Sequence, residues 1–232
     1  ESVMPAFILR HRRGDLIELM DDPNCDPELL NNTYRHFHHV NRLLSGAHRV
    51  YTQWIRPELL RGSKSILDIG CGGGDLLLKL SAWAAADGLD VEIVGADPDP
   101  NAFEYLSKVA FPETVSFRQA DTTSLIQSGE SFDIVVSNHL LHHLAENEIH
   151  AFLEQSQRLA KRLVVHNDIR RDDVAFIGFI PIGLMFRRSF ILTDGLRSIR
   201  RSYLPSELSR LAPDGWNAKS MPLFRNLVTW QK

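Results

Sequence analysis

Thiols are scarce in this sequence: Cys25 and Cys71 are the only cysteines in 232 residues. Neither sits in a C-x-x-C or Cys/His ligand spacing, which excludes a disulfide framework and a thiolate metal centre, so no metal is expected and a reducing, cytoplasmic setting is the default. Long apolar runs are also missing. The longest, residues 174–186, falls short of the ~20 residues that span a bilayer, and Arg187 and Arg188 close it. The opening stretch to Arg13 is too charged, and its apolar run too short, to read as a secretory leader. Nor is there an excess of positive charge. The formal net charge is -3, which argues against a nucleic-acid partner. Local basic clusters at 10–13, 170–171 and 197–201 read as solvated faces or carboxylate partners. No internal repeat and no low-complexity tract interrupts the chain.

What remains is enough for a full core. Hydrophobic residues make up 44% and charged residues 24%, ordinary values for a globular protein, and the length suits one α/β domain with additions. Apolar positions at 3-to-4 spacing (Leu16, Leu19, Met20, then Leu29, Leu30, Tyr34, Phe37, Val40) predict helices over residues 1–60. Asp26-Pro27-Glu28 is a helix start, with an acid at the cap and Pro in the first turn. From Lys64 the pattern alternates. Strand-like runs at 65–69, 91–96, 115–119, 132–137 and 163–166 are separated by helical stretches at 75–86, 101–110, a short one after Thr122, and 146–160. Such alternation predicts a Rossmann-like, doubly wound α/β fold with a mostly parallel sheet. Two further strands, 216–220 and 225–231, complete seven and suit an antiparallel ending. The division expected is an N-terminal helical cap over 1–62 and a core over 63–232. Residues 172–204, apolar first and basic later, read as an insertion capping the carboxyl edge of the sheet. Phe179 and Met185 are expected in its acceptor-facing part; for Arg197, Arg200 and Arg201, ion pairs with the domain surface are the readier role, and orienting an acidic acceptor group the other.

The chemistry concentrates at strand ends. Asp68-Ile69-Gly70-Cys71-Gly72-Gly73-Gly74-Asp75 follows an apolar strand and precedes an amphipathic helix. Glycines there let the backbone turn sharply and approach a ligand where a Cβ would collide. A dinucleotide fingerprint beginning at Gly70 would need glycine at position 75, which is Asp, and an acid at 68 opposes a pyrophosphate but suits a cationic amino-acid moiety. Gly95-Ala96-Asp97-Pro98-Asp99 ends the second strand on an acid that can accept both ribose hydroxyls, or cap the next helix. Gln119-Ala120-Asp121-Thr122 places an acid after the third strand, where it can accept an adenine amino group or serve as a turn residue. Phe132 to His139 is a buried strand delivering Asn138 and His139 to the same edge.

Taken together, residues 63–168 resemble the core of the class I S-adenosylmethionine-dependent methyltransferases. The resemblance implies S-adenosyl-L-methionine as cofactor, with Asp68, Gly70, Cys71, Gly72 and Gly74 in its loop, Cys71 acting as a small space-filler. It further implies Asp97 with Pro98 at the ribose, Asp121 with Thr122 at the adenine end, and Asn138 at the edge of the fourth strand. Residues 137–144, Ser-Asn-His-Leu-Leu-His-His-Leu, look like the small-molecule branch, since the Asn/Asp-Pro-Pro-aromatic segment of nucleic-acid amino-methyltransferases is absent. Residues 192–207 and the N-terminal segment look similar to bacterial enzymes of secondary metabolism and quinone pathways. A small, largely apolar acceptor methylated at a phenolic or enolic oxygen is the implied reaction. C- or N-methylation of a small metabolite, a non-catalytic cofactor-binding protein and a nicotinamide oxidoreductase are the alternatives. If a base is needed, it is expected from His142 or His143, one facing the pocket and one packing, with Asp168 fixing the ring tautomer. A helix N-terminus would keep that imidazole neutral. His139 and His166 are reserves, while His36, His38 and His39 read as solvated or core histidines. Whether the protein is a monomer or a homodimer is left open by the sequence.

Overall fold

A computed structural model describes residues 9–22 and 24–232. Residues 1–8 of the expected N-terminal cap, and the side chain of His38, lie outside the described residues. Helix α1 (Pro27–Leu44) begins as its sequence dictates: the Asp26 carboxylate accepts the N–H groups of Glu28 and Leu29, and Pro27 occupies the first turn. A second rod follows, built from α2 (Ala47–Val50), a π-helical turn (Tyr51–Ile55) and α3 (Arg56–Leu60).

Strands β1 (Ser65–Ile69), β2 (Glu92–Asp97), β3 (Val115–Gln119), β4 (Phe132–Asn138) and β5 (Ala160–Ile169) are joined by α4 (Asp75–Ala86), α5 (Pro100–Leu106), α6 (Thr122–Gln127) and α7 (Glu146–Leu159). After β5 come α8 (Asp173–Gly183), α9 (Ile191–Arg201) and α10 (Pro205–Leu211), then β6 (Asn217–Met221) and β7 (Arg225–Gln231). The sheet has seven strands in the order β3-β2-β1-β4-β5-β7-β6. Neighbours among the first five pair in parallel; β7 runs antiparallel to β5, and β6 antiparallel to β7.

Alternation of side chains along the strands explains the layers. Ile66, Ile134 and Val165 point to one face and pack with Leu77 and Leu80 of α4. Leu67, Val135 and Val164 point to the other and pack with Ile149 and Leu153 of α7. Strand order reverses between β1 and β4, opening a crevice at the carboxyl edge where ligands of such sheets bind.

Two expectations need correction. Residues 9–22 are not a helix but a strap with a single 3-10 turn, Leu19–Asp21. Its backbone N–H groups at Leu19 and Met20 go to the Asp194 carboxylate at 2.8 and 3.0 Å instead of to a preceding turn. Helix α10 was not read from the sequence at all; Glu207 closes its first turn by accepting the Leu204 N–H. No helix of the described residues is long and apolar enough to cross a membrane.

Candidate functional site

A cavity of about 430 Å³ runs from the β1–α4 loop to the β6–β7 turn. Its floor is the carboxyl edge of the sheet. Tyr34, Phe37, Val40 and Leu44 of α1, with α8 and α9, form its cover.

The β1–α4 loop is shaped by its glycines. Gly70 and Gly74 have φ of +68° and +74°, and a Cβ there would stand 2.9 Å from Leu140 and 2.7 Å from Leu106. The left-handed backbone is what asks for glycine at these two positions, and the close leucine methyls add to it. Asp68 is 1% exposed and lines the cavity. Its Oδ1 is without a hydrogen-bond partner among the described residues. Burial, then the charges of Asp97 and Asp75, push its carboxyl well above the ordinary value. This is a buried acid short of positive charge, facing an open cavity. Asp97, at the end of β2, accepts the N–H of Gly72 at 2.8 Å and of Asp99 at 2.9 Å. Burial raises its carboxyl, against those two bonds. Cys71 is buried behind the loop, and burial followed by the charges of Asp68 and Asp97 pushes its thiol up, as suits a space-filler rather than a nucleophile.

Of the expected loop residues, Asp68, Gly70, Cys71, Gly72, Asp97 and Asn138 come together on the cavity wall. Gly74 shapes the turn from behind. Asp121, Thr122 and Pro98 are not on the wall. The Asp121 carboxylate caps α6 by accepting the Ser124 N–H at 2.8 Å, and the Thr122 hydroxyl is buried against Gln155.

Beyond β4 lies the second half of the site. Leu141–His143 form a 3-10 turn before α7. His142 is buried; its Nδ1 meets Asp168 Oδ1 at 2.7 Å, and its Nε2 stands 3.4 Å from Glu18 Oε1. Burial alone would discharge this ring. The charge of Asp168 and its hydrogen bond, followed by Glu18, outweigh burial and carry the imidazole up to about 9. His142 is therefore an imidazolium at neutral pH, held so by groups distant in sequence. For Glu18 burial again opposes ionisation, but the hydrogen bond with His142 leads the interactions that hold the carboxyl down at about 2. His143 faces the cavity: its side chain is 28% exposed, with Nδ1 3.3 Å from Asp21. Both rings line the cavity, His142 packed at its wall and His143 the more open of the two.

His139 lies on the wall in a left-handed conformation (φ 63°), and burial followed by the Arg225 charge keeps its ring neutral. His166 is elsewhere, bonded to Ser137 and stacked on Trp216 on the other side of the sheet. His36 packs beside Phe186.

Glu18, His142 and His143 offer three ligand atoms within 4.8 Å of one another. A dication would compete there with Arg201, whose Nη1 is 3.7 Å from Glu18 and 3.6 Å from Asp21. The cluster is already neutralised by a guanidinium and an imidazolium.

Sequence reading missed Glu18, Asp21, Asp194 and Arg225, all on the cavity wall. The insertion behaves as expected only in part. Phe179, Ile182, Ile191 and Ile199 line the cavity, whereas Met185 is 78% exposed and faces away. Arg197 and Arg201 brace the strap through Asp194, Glu18 and the Ile17 carbonyl.

Residues 66–162 match the family model described as a methyltransferase domain. A ubiquinone biosynthesis O-methyltransferase of Rhizobium etli is 35% identical over 86 residues, covering 36% of this chain and 32% of that protein. The protein of the same name from Pseudomonas syringae pv. tomato is 26% identical over 164 residues, covering 69% of this chain and 67% of its own length. At the first of these matches, then, the chain spans about a third of its relative. Among solved structures, a plantazolicin methyltransferase in complex with SAH is 17% identical with a TM-score of 0.63, covering 92% of both chains. An O-methyltransferase family protein from Burkholderia thailandensis is 11% identical with a TM-score of 0.60, covering 88% of this chain and 59% of that one.

Proposed function

We propose that this chain is a class I S-adenosylmethionine-dependent methyltransferase and that it methylates a small, largely apolar acceptor at a phenolic or enolic oxygen; the seven-stranded sheet and the methyltransferase-domain match over residues 66–162 support the reading. The observation that carries the reading is one continuous cavity with two unlike ends. One end has the glycine loop with an under-compensated acid, the other apolar lid residues around His142 and His143.

The residues fit the cofactor. Asp68, lacking positive charge, faces the place for a cationic sulfonium amino acid, and Asp97 stands where a carboxylate accepts ribose hydroxyls. Bound there, S-adenosylmethionine supplies an activated methyl group. The chain supplies the rest. Tyr34 and α1 close over the loop and keep water out. Phe179, Ile182, Ile191 and Ile199 hold an apolar acceptor in reach of the loop. His143, braced by Asp21, takes the acceptor hydroxyl proton, while His142 stays a fixed cation between Asp168 and Glu18. The O-methyltransferase names of the curated relatives support oxygen over nitrogen or carbon.

A panel of phenols, quinols and polyketide-like enols, incubated with methyl-labelled S-adenosylmethionine and read by mass, tests this reading. The expected product gains one labelled methyl on oxygen. Transfer confined to amines or to carbon contradicts the oxygen assignment.

A further inference from the structure

Among the described residues the two most deeply buried arginines, Arg171 and Arg225, are each 2% exposed and are treated very differently. Arg171 is paired with Glu207 through two bonds of 3.1 and 2.6 Å. Arg225, 2% exposed at the start of β7, has no carboxylate within ion-pair distance among the described residues. Its Nε donates to Asn167 Oδ1 at 3.0 Å and its Nη2 to Asn138 Oδ1 at 3.2 Å, both neutral groups. Nη2 also donates to the Asn167 carbonyl at 3.4 Å, and Nη1 makes long contacts of 3.4 and 3.3 Å to the two ring nitrogens of His139, so every one of these partners is uncharged. The nearest compensating charge is Asp168, whose oxygens are already taken. Oδ1 accepts from His142 Nδ1 and the Ile169 N–H, and Oδ2 accepts the His142 N–H. A buried guanidinium without a paired anion carries a desolvation cost that an incoming anion relieves.

Place and strain agree with such a role. Arg225, Asn138 and His139 all line the cavity. His139 holds a left-handed backbone, and so do Leu223 and Phe224 in the turn that delivers Arg225. Bulky residues in that region are uncommon, and such strain gathers at ligand sites. The cavity is otherwise rich in acids, so this is the wall that can receive a negative charge.

We propose that Arg225 anchors a carboxylate of the acceptor, making the substrate class a hydroxylated aromatic or polyketide-type acid. The planar fork of guanidinium matches a carboxylate in shape and charge. Asn138 and Asn167 hold that fork in place without neutralising it. The assignment rests on the methyltransferase reading above.

The test measures binding without turnover. The SAH-loaded protein is titrated with 3-hydroxy-2-naphthoate and, separately, with 2-naphthol. The naphthoate is expected to bind more tightly than the naphthol. Arg225→Met should weaken the naphthoate by roughly 30-fold or more, and leave the naphthol within a factor of about three. Arg225→Lys should restore part of the loss, and unchanged SAH affinity in each variant shows that the site is still folded. A wild type that prefers or equally binds the naphthol, or an Arg225→Met variant that weakens both ligands alike, overturns the carboxylate site. Failure of the wild type to bind SAH would instead overturn the reading beneath it.

Discussion

His143→Ala should lower kcat for an acidic-hydroxyl acceptor by roughly 10²- to 10⁴-fold, the usual worth of a positioned general base. Cofactor affinity should stay within a factor of about three, under roughly 0.7 kcal/mol. The case rests on which of two adjacent rings is free to accept a proton. His142 is committed on both sides, to Asp168 at 2.7 Å and Glu18 at 3.4 Å, and its ring already carries a proton at neutral pH. His143 lies on the cavity wall with Asp21 at 3.3 Å from Nδ1 to fix its tautomer and Glu18 farther off, at 3.9 Å from Nε2. Asp21→Asn should then reproduce part of the loss in kcat with little change in KM. A near-full-rate His143→Ala enzyme would mean that orientation alone drives the reaction, or that the base stands elsewhere.

His142→Ala is expected to act on stability before it acts on rate, costing about 3–5 kcal/mol, because it leaves Asp168 buried without its cation. The same pair makes stability depend on pH. The folded value of about 9 lies above the ordinary 6.5, so the contribution is fully present below 6.5. It drains away as pH rises through 9, and a displacement of that size is worth about 3 kcal/mol. Glu18 and Asp168 have folded values below the ordinary carboxylate range, so their contribution is lost in acid instead, as pH falls beneath about 4. Thermal unfolding of the wild type should therefore fall in Tm between pH 6.5 and 9, and the difference from His142→Ala should shrink over that interval. A wild-type curve parallel to that of the variant from pH 6 to 9.5 contradicts the imidazolium assignment.

The glycine-loop half of the candidate site, proposed above for the cofactor, was legible because its information is local. A strand, a glycine turn and a helix follow one another in sequence, and each βα junction drops its polar residue at the same edge. Asp121 shows the limit of that logic. Its position after β3 fits an adenine contact, yet Asp-Thr-Thr-Ser is also a helix start, and the side chain takes the local bond to Ser124. The acceptor half was only partly legible, because it is assembled from the strap, α9 and β7. Glu18 reaches His142 only because Ser198 and Asp194, about 180 residues away, pin the strap. Nothing in the spacing of Leu16, Leu19 and Met20 distinguishes such a strap from a helix. The charge on His142 was not legible either, because it is decided by magnitude. A helix terminus offers roughly 0.3–1 kcal/mol, which cannot compete with two buried carboxylates at 2.7 and 3.4 Å. Arg225 carried no signal at all, since one arginine at the start of a terminal strand looks like any surface charge until the fold buries it.

Calorimetric titration of the protein with SAH, beside NADH, bears most directly on the central claim. SAH should bind with a dissociation constant of micromolar order, about 8 kcal/mol, and NADH should give no saturable heat. Asp97→Ala should weaken SAH by about 10- to 100-fold, through lost charge-assisted hydrogen bonds and the freed Gly72 N–H. Saturable NADH binding without SAH binding, or SAH binding indifferent to Asp97→Ala, would contradict the account.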